Sequence, residues 1–334
     1  MVLTATHDTI QVRTEDLAQQ KRELMREKLS RELGSKILQA LADDSVTEIL
    51  LNPDGVIWLD RAGVGLQDSG ERMSAVRAEN LLGTIAAMLD TTIGPERPLL
   101  QGELPFDGSR FQGVVPPVSS VPIFSIRKRA AIVFTLDRYV ADGILSRAYA
   151  EELRQAVAQR QNILIVGSTG SGKTTLTNAL LAEIARADGD AARIVILEDT
   201  FELQCPARNV VMLHTSDSVD MTACLRVTMR LRPDRIIVGE VRDHAALALL
   251  KAWNTGHPGG CATIHANSAY GGLVRMEQLI SEAPHARPNP ALIADSIDIV
   301  VFIARTPAGR RVTEVARCTG FKDGRYALDY IPNI

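Results

Sequence analysis

The stretch that decides the fold is NILIVGSTGSGKTTLTNALLAEIARA, residues Asn162–Ala187. It joins an apolar, β-branched run to a glycine-rich turn, and the turn leads into a helical pattern. In the turn, Gly167, Gly172, Lys173 and Thr174 fit the spacing G-x-x-x-x-G-K-[ST]. A chance match in a chain of this length arises roughly once in a hundred sequences, and the motif needs a strand before it and a helix after it. The sequence therefore predicts a phosphate-binding loop between a buried strand and a helix.

The residue types in this loop are those that hold a nucleoside triphosphate with Mg²⁺. Glycines let the backbone approach closely enough for its N–H groups to surround the phosphates, and Lys173 reaches the β and γ oxygens. The hydroxyl of Thr174 is a ligand for Mg²⁺, and the helix dipole favours an anion at this end. We therefore predict that ATP and Mg²⁺ bind here. The predicted nucleotide-binding residues are Gly167, Ser168, Thr169, Gly170, Ser171, Gly172, Lys173, Thr174 and Thr175.

The chain after this loop alternates strands with helices. Three further apolar runs, RIVIL, NVVML and RIIVG, begin at Arg193, Asn209 and Arg235, and most are separated by helical patterns. This alternation indicates a parallel sheet covered on both faces. The chain has 334 residues, and single cores rarely grow beyond about 250 residues. We predict an α/β domain over residues 151–334 and a separate domain before it.

The earlier part of the chain predicts a smaller α+β domain with an antiparallel sheet. Residues 15–41 form an amphipathic helical pattern, and the turn sequence at 52–55 between two apolar runs indicates a hairpin. The helix either lies on a membrane or a partner, or packs on its own domain or a neighbouring subunit; its nearly balanced charges favour packing. Its apolar residues, four apart, are Leu29, Leu33, Ile37 and Leu41. We predict a flexible N-terminus over residues 1–14, the N-terminal domain over 15–130 and a linker over 131–150.

Composition limits the function classes. The net charge is −3 and aromatic residues make up 4% of the chain, so we expect no stable direct binding of nucleic acid. The four cysteines lie far apart without a C-x-x-C pair, which indicates reduced thiols and not a disulfide framework or a zinc ribbon. The N-terminus lacks the pattern of a secretory signal, and no apolar run reaches the ~18 residues that span a membrane. We expect a soluble protein that can dock on a membrane surface.

Carboxylates follow two of the predicted strands. Glu198, Asp199 and Glu202 come after RIVIL, and Glu240 comes after RIIVG. Ligands of open α/β sheets bind at the carboxyl ends of the strands, so these side chains emerge where a nucleotide would lie. Ordinary strand-end caps are the alternative, and for Asp199 and Glu202 the two interpretations stay open. We predict catalytic roles for Glu198 and Glu240, with Glu240 in the place of the usual Walker B acid.

An ordered series of four motifs resembles the secretion-ATPase superfamily. The series is GSTGSGKTT, ILEDTFELQC, LRPDRIIVGEVR and LKAWNTGHPGGCATIHANS, which resemble its Walker A motif, Asp box, Walker B motif and His box. The resemblance covers about residues 40–285, and EDTFELQC and LKAWNTGHPGG look most like the TrbB-like conjugal-transfer branch. It implies a RecA-like P-loop ATPase domain at the C-terminal side, over which a smaller α+β N-terminal domain closes.

The resemblance also implies an assembly and a set of catalytic residues. Members of this superfamily form homohexameric rings, are peripherally associated with the inner membrane from the cytoplasm, and work with inner-membrane components of the secretion channel. By this resemblance, Glu198 and Glu240 orient or deprotonate the attacking water. His265, with His257 as a second candidate, faces the γ-phosphate. The arginines that reach the phosphates from the N-terminal domain correspond to Arg110 and Arg127. Further candidates near the phosphates or a subunit boundary, with surface charge as the alternative, are Arg226, Arg230 and Arg232.

The segment TGHPGGCATIHANS, Thr255–Ser268, admits a metal site, a buried structural histidine or a nucleotide sensor. A zinc site needs three or four ligands, and His257, Cys261 and His265 have no fourth member nearby. We interpret CATI as a short buried strand next to the strand of the phosphate-binding loop. That placement brings His265 out beside Glu240, where it can sense the γ-phosphate.

We consider four functional hypotheses for this sequence. The motifs favour an ATP-hydrolysing motor of a conjugative type IV secretion system. A pilus-assembly, pilus-retraction or type II secretion ATPase is the second reading, which the missing pair of C-x-x-C motifs disfavours. A DNA-translocating motor conflicts with the low aromatic content and the acidic isoelectric point of about 6.1. A scaffold that uses nucleotide only as a switch conflicts with the joint presence of Lys173, Thr174, Glu198 and Glu240.

Overall fold

The computed structural model describes residues 4–61, 64–105, 107–128, 134–216, 218–283, 285–307 and 309–333; for residues 4–18, 21 and 22 it describes the backbone alone. The chain divides into two compact units, Met1–Ala131 and Ile132–Ile334. Each unit has its own hydrophobic core. In the described ranges, no helix is both long enough and apolar enough to cross a membrane.

In its described residues, the first unit combines two helices with a six-stranded sheet whose neighbouring strands all run antiparallel. Its elements are α1 (Thr4–Ala42), β1 (Val46–Leu51), β2 (Val56–Arg61), β3 (Gly65–Arg72), α2 (Ala75–Met88), β4 (Leu99–Glu103), β5 (Arg110–Val114) and β6 (Ile123–Arg127). The strand order is β3-β2-β1-β6-β5-β4. The predicted antiparallel α+β architecture is therefore confirmed.

The amphipathic helix packs on its own unit. Leu29, Leu33 and Ile37 are each at most 1% exposed and belong to the core of the first unit. α1 begins at Thr4, within the stretch that we expected to be flexible, and leaves helical geometry at Gly34. Arg77 of α2 donates from Nε to the carbonyl of Glu32 and from Nη2 to that of Leu33. Carbonyls next to the kink thus have a cationic partner in place of the next helical turn.

The predicted hairpin forms between β1 and β2. The amide of Gly55 donates to the carbonyl of Asn52 at 2.9 Å, and the amide of Asn52 donates to the carbonyl of Val56. Pro53 is compatible with this turn because its fixed φ suits the second position, and it has no N–H to lose. The turn therefore sets the register in which Leu51 lies opposite Ile57.

The second unit contains an eight-stranded sheet in the order β14-β13-β12-β7-β11-β10-β8-β9. The elements are α3 (Leu136–Ala141), α4 (Arg147–Ala158), β7 (Ile163–Val166), α5 (Lys173–Asp188), β8 (Ile194–Glu198), β9 (Val210–His214), α6 (Met221–Thr228), β10 (Arg235–Val238), α7 (Ala245–Asn254), β11 (Cys261–Ile264), α8 (Ala269–Ser281), α9 (Pro290–Ser296), β12 (Ile299–Thr306), β13 (Gly309–Lys322) and β14 (Arg325–Tyr330). The six strands from β12 to β9 are parallel, and β13 and β14 extend the sheet antiparallel.

Both faces of this sheet are covered, as its apolar strands predict. In β7, Ile163 and Ile165 belong to the core that includes side chains of α3, α4 and α5. Leu164 and Val166 belong to the core formed with α6, α7, α8 and α9. All four side chains are at most 1% exposed, because successive strand residues point to opposite faces. The parallel arrangement brings the carboxyl ends of β7, β8, β10 and β11 to one edge.

Two features of this unit differ from the sequence interpretation. We expected a linker over residues 131–150, whereas α3 and the start of α4 lie there, and Leu136, Tyr139 and Leu145 are buried in the core of the second unit. The sequence interpretation did not include β12, which runs parallel to β7, or the antiparallel extension by β13 and β14. Because β12 pairs with β7, this extension lies beside the strand that precedes the phosphate-binding loop.

Candidate nucleotide site

The loop between β7 and α5 has the backbone form of a phosphate cradle. Gly172 has a φ of 102°, and Gly170 has a φ of 68°, a region that side chains with a Cβ rarely adopt. At Gly167 a Cβ would lie 2.5 Å from the carbonyl oxygen of Ile303. The glycines thus allow the close turn that directs backbone N–H groups inward at the start of α5.

Lys173 lies at the centre of this loop and is only 8% exposed. Its Nζ donates to the carbonyl oxygens of Gly167 at 3.0 Å and Ser168 at 3.1 Å. The loop therefore folds around the ammonium group. An ammonium held in a ring of backbone groups is positioned to bind phosphate oxygens, since it has three donors and no acceptor.

Glu198 ends β8 and is 4% exposed. Its Oε1 accepts hydrogen bonds from the amides of Glu202 at 3.0 Å and Leu203 at 2.9 Å. Gly239, at the end of β10, lies so close that a Cβ there would come 2.9 Å from Cγ of Glu198. The carboxylate of Glu198 therefore fixes the loop after β8 against the neighbouring strand end.

Glu240 and His265 meet at the same edge, as the sequence predicts. Nε2 of His265 contacts Oε1 of Glu240, and Nδ1 of His265 lies 3.2 Å from Nζ of Lys173. An ammonium group can only donate, so Nδ1 is the acceptor and the ring proton lies on Nε2, toward Glu240. A continuous row of polar contacts thus joins Lys173 of the phosphate-binding loop to Glu240.

Arg242 extends this row on the other side of Glu240. Its Nε and Nη2 lie 2.7 Å and 2.5 Å from Oε2 of Glu240, and its Nη1 lies 3.0 Å from Oδ2 of Asp199. Thr215 donates to the other oxygen of Asp199 at 3.1 Å. Asp199 therefore holds the arginine that pairs with Glu240. We gave Arg242 no role from the sequence, although it is part of the motif LRPDRIIVGEVR.

The site keeps His265 neutral at pH 7. Burial lowers the pKa of His265 below its ordinary value of 6.5, the charge of Lys173 lowers it further, and Glu240 opposes both effects. A protonated ring would place a second positive charge next to the ammonium of Lys173 and remove the acceptor at Nδ1. The neutral form, which can accept from Lys173, therefore dominates above pH 6.5 and is lost as the pH falls through the lowered pKa.

We expect this titration to appear in the pH profile of ATP hydrolysis. In the wild type, kcat/KM should fall on the acidic side with a midpoint below 6.5, the ordinary pKa of the histidine. His265→Gln should be at least about tenfold slower and should lack that acidic limb. The measurement is kcat/KM between about pH 5 and pH 8. Protonation of the nucleotide affects both curves equally, so an unchanged acidic limb in the variant would assign it to another group.

His257 does not reach this edge, and the expectation that it faces the γ-phosphate is wrong. Its Nδ1 lies 2.9 Å from the carbonyl oxygen of Pro233, before β10 begins. β11 separates His257 from His265, so the two histidines lie at opposite ends of the strand. This contact with Pro233, on a half-buried ring, supports the alternative of a structural histidine. Cys261 lies in β11 between them and is fully buried, and burial raises the pKa of its thiol to about 12.

The packing of the His-box segment explains its small residues. A Cβ at Gly260 would lie 2.2 Å from the carbonyl oxygen of Ile236 and 2.3 Å from Nε1 of Trp253. Trp253 donates from this nitrogen to the same carbonyl at 3.1 Å. The segment is thus pressed against β10 and α7 before it enters β11, which fixes where His265 emerges.

Arg110 and Arg127 lie in the first unit and come together there. They are directly opposite each other on the antiparallel strands β5 and β6. The row continues to Glu103 on β4 and to Glu48 on β1, and Arg127 lies 3.7 Å from the carboxylate of Glu48. Directly opposite residues share a face of a sheet, so this face presents two arginines between two glutamates. Their catalytic role stays a prediction.

The remaining predicted arginines lie on the surface of the second unit. Arg226, Arg230 and Arg232 are exposed, on α6 and in the segment after it. Their roles near phosphates or at a subunit boundary stay predictions. Two further arginines that the sequence interpretation missed do touch the phosphate-binding loop: Arg305 and Arg310 donate from Nε to the carbonyl oxygen of Gly170 at 3.1 Å and 3.2 Å.

A family model described as type II/IV secretion system protein matches residues 107–317. The chain belongs to this family. It is 51% identical to the probable conjugal transfer protein TrbB of Sinorhizobium fredii, over 90% of this chain and 92% of the relative. It is 50% identical to the conjugal transfer protein TrbB of Rhizobium radiobacter, over 92% of this chain and 94% of the relative.

A solved structure confirms the fold class. The structure of the Legionella pneumophila ATPase DotB matches with a TM-score of 0.58 and 18% identity, over 82% of this chain and 77% of that chain. The predicted class, an α/β domain with a smaller α+β domain before it, is therefore confirmed. A protein of the type II/IV secretion family with this phosphate-binding loop and two strand-end carboxylates is an ATPase.

Proposed function

We propose that this chain is the ATP-hydrolysing motor of a conjugative type IV secretion system. The observation that carries the proposal is the row of polar contacts from Lys173 through His265 to Glu240. It gives a phosphate-binding cation, a neutral histidine and a carboxylate at one edge of the sheet. Two relatives with about half their residues identical over nearly the whole chain are conjugal transfer proteins, which supports the conjugative system over pilus assembly or type II secretion.

The site residues divide the work of phosphoryl transfer. Backbone N–H groups at the start of α5 and Nζ of Lys173 bind the phosphates, and Lys173 exchanges the carbonyls of Gly167 and Ser168 for phosphate oxygens. Glu240 orients the attacking water, because it is the carboxylate that contacts His265, whose Nδ1 lies 3.2 Å from Nζ of Lys173. Glu198 fixes the neighbouring loop through its two backbone hydrogen bonds. His265 responds to the γ-phosphate because it bridges the lysine and the carboxylate.

The donors of this site fit a Mg²⁺ that arrives with the nucleotide. Among the described residues, no group of three or more histidine, cysteine, aspartate or glutamate side chains is arranged to hold a metal ion. Mg²⁺ keeps several waters and is commonly bound by one or two protein oxygens together with substrate phosphates. Thr174, on the first turn of α5, would supply the protein hydroxyl. The ion, when bound, neutralises negative charge on the phosphates.

The proposal includes a homohexameric ring that is peripheral to the inner membrane and works with components of the secretion channel. Arg110 and Arg127 would supply positive charge to the transition state when the N-terminal domain closes. An arginine supplied in this way is worth about 10³–10⁵-fold in rate. An ATPase of this kind hydrolyses ATP very slowly until closure of the N-terminal domain completes the site. Hydrolysis is thereby coupled to movement of the ring.

The test combines mass in solution with turnover. We expect a hexamer with ATP and Mg²⁺, and we expect Arg110→Ala to lower kcat by about 10³-fold while the hexamer persists. Arg138→Ala is the matched control, because Arg138 is exposed on α3 and pairs only with Asp142 four residues on among the described contacts. Each variant is also tested for DNA transfer between mating cells. If an Arg110→Ala protein without ATPase activity supported DNA transfer at the wild-type level, the proposal that this chain is the motor would be refuted.

A further inference from the structure

The hairpin of β12 and β13 reaches over the phosphate-binding loop. β12 pairs with β7 up to the level of Val166 and then continues to Thr306, beyond the point where the loop begins. Arg305 and Arg310 lie directly opposite each other on the two strands of this hairpin. Both side chains are therefore on one face, above the loop that follows β7.

Both guanidinium groups bind one atom of the loop. Nε of Arg305 and Nε of Arg310 donate to the carbonyl oxygen of Gly170. Cδ of Arg310 lies 3.3 Å from the position that a Cβ of Gly172 would occupy, and Nη2 of Arg305 lies 3.5 Å from that of Gly170. The two cations thus lie against the loop, close to the start of α5.

This arrangement concentrates positive charge. Two like charges directly opposite each other on a sheet destabilise it. Lys173 is a third cation, at the phosphate-binding loop that both arginines contact. Among the described residues, neither Arg305 nor Arg310 forms an ion pair with a carboxylate. A guanidinium has five N–H donors, so the Nη groups of both arginines remain available beside the loop. An anion at the loop would offset the repulsion.

We propose that Arg305 and Arg310 bind the phosphate chain of the nucleotide while their Nε groups hold Gly170. The proposal rests on the proposed nucleotide site. It adds two phosphate-binding side chains from the hairpin of β12 and β13, which are distinct from the arginines of the first unit. Arginine suits this part because its planar fork can hold a backbone carbonyl and a phosphate oxygen at once. The pair acts on nucleotide affinity, because it touches the loop and none of the carboxylates that position water.

The test measures binding of ADP with Mg²⁺, and of inorganic tripolyphosphate as a competitor, at several salt concentrations. Arg305→Gln and Arg310→Gln should each weaken both ligands by about tenfold, the usual effect of one hydrogen bond to a charged group. The dependence of affinity on salt should also become shallower, because a cation that contacts phosphate is lost. Arg305→Lys and Arg310→Lys keep the charge and should keep the salt dependence.

Arg311→Gln is the matched control. Arg311 is exposed, follows Arg310 on β13 and points to the opposite face, so its loss should leave affinity unchanged. Weaker binding with an unchanged salt dependence would overturn the proposal, since it would show that the pair only supports the loop. Wild-type affinity in both glutamine variants would also overturn it. Lys173→Ala tests the proposed nucleotide site separately. If this variant also binds ADP and tripolyphosphate with wild-type affinity, the assignment of the nucleotide site is wrong.

Discussion

Lys173→Ala should abolish ATP turnover, with a loss in kcat of at least about 10²–10³-fold, the range for removal of one electrostatic donor from a transition state. The ammonium is enclosed by the loop, bonded to two of its carbonyls, and is 3.2 Å from His265. Alanine removes the cation that binds the β and γ oxygens and the donor that fixes Nδ1 of His265. Turnover is measured as phosphate release by the purified protein, and function as DNA transfer between mating cells.

Lys322→Ala is the control for this substitution. Lys322 is exposed at the end of β13, so it changes charge without touching the loop, and we expect full activity. The fold of Lys173→Ala should persist, because its methylenes lie at a loop whose strand and helix are anchored by the buried residues of β7 and α5. If a Lys173→Ala protein still supported full DNA transfer, this result would contradict the motor hypothesis, whatever the ATPase rate of the variant.

The sequence predicts the centre of this site because that centre is built from short-range geometry. The loop around Lys173 is one contiguous motif whose glycines set the backbone directly. The position of His265 beside Glu240 follows from strand length: four residues of β11 separate the loop before it from the carboxyl edge. The parallel register then brings the ends of β10 and β11 together.

The hairpin arginines could not be found in the same way. Arg305 and Arg310 reach Gly170 across 135 and 140 residues of chain, and no spacing rule connects them. The pairing of β12 with β7, which carries Arg305 to the loop, depends on competition among several similar apolar strands. His257 was assigned to the γ-phosphate by resemblance alone, although the strand predicted at CATI already separates it from the carboxyl edge.

Glu240→Gln should separate ATP binding from ATP hydrolysis. General acid–base groups contribute about 10²–10⁴-fold, and we expect kcat to fall within that range while the affinity for ATP stays near that of the wild type. The amide keeps the size of the side chain and one oxygen, so packing at the edge is preserved. It loses the negative charge that contacts Nε2 of His265 and pairs with Arg242. Single-turnover hydrolysis and equilibrium binding of ATP give the two quantities.

Glu198→Gln is the discriminating partner of this experiment. Oε1 of Glu198 accepts two backbone amides, and the oxygen of a glutamine can still accept them, so we expect a smaller loss in kcat than for Glu240→Gln. Glu151→Gln, an exposed position on α4, controls for the loss of one negative charge. If Glu198→Gln is inactive while Glu240→Gln turns over normally, the water-positioning role belongs to Glu198. The row from Lys173 through His265 would then serve to hold Glu240 and Arg242 in place, and its histidine would report the γ-phosphate without acting on the water.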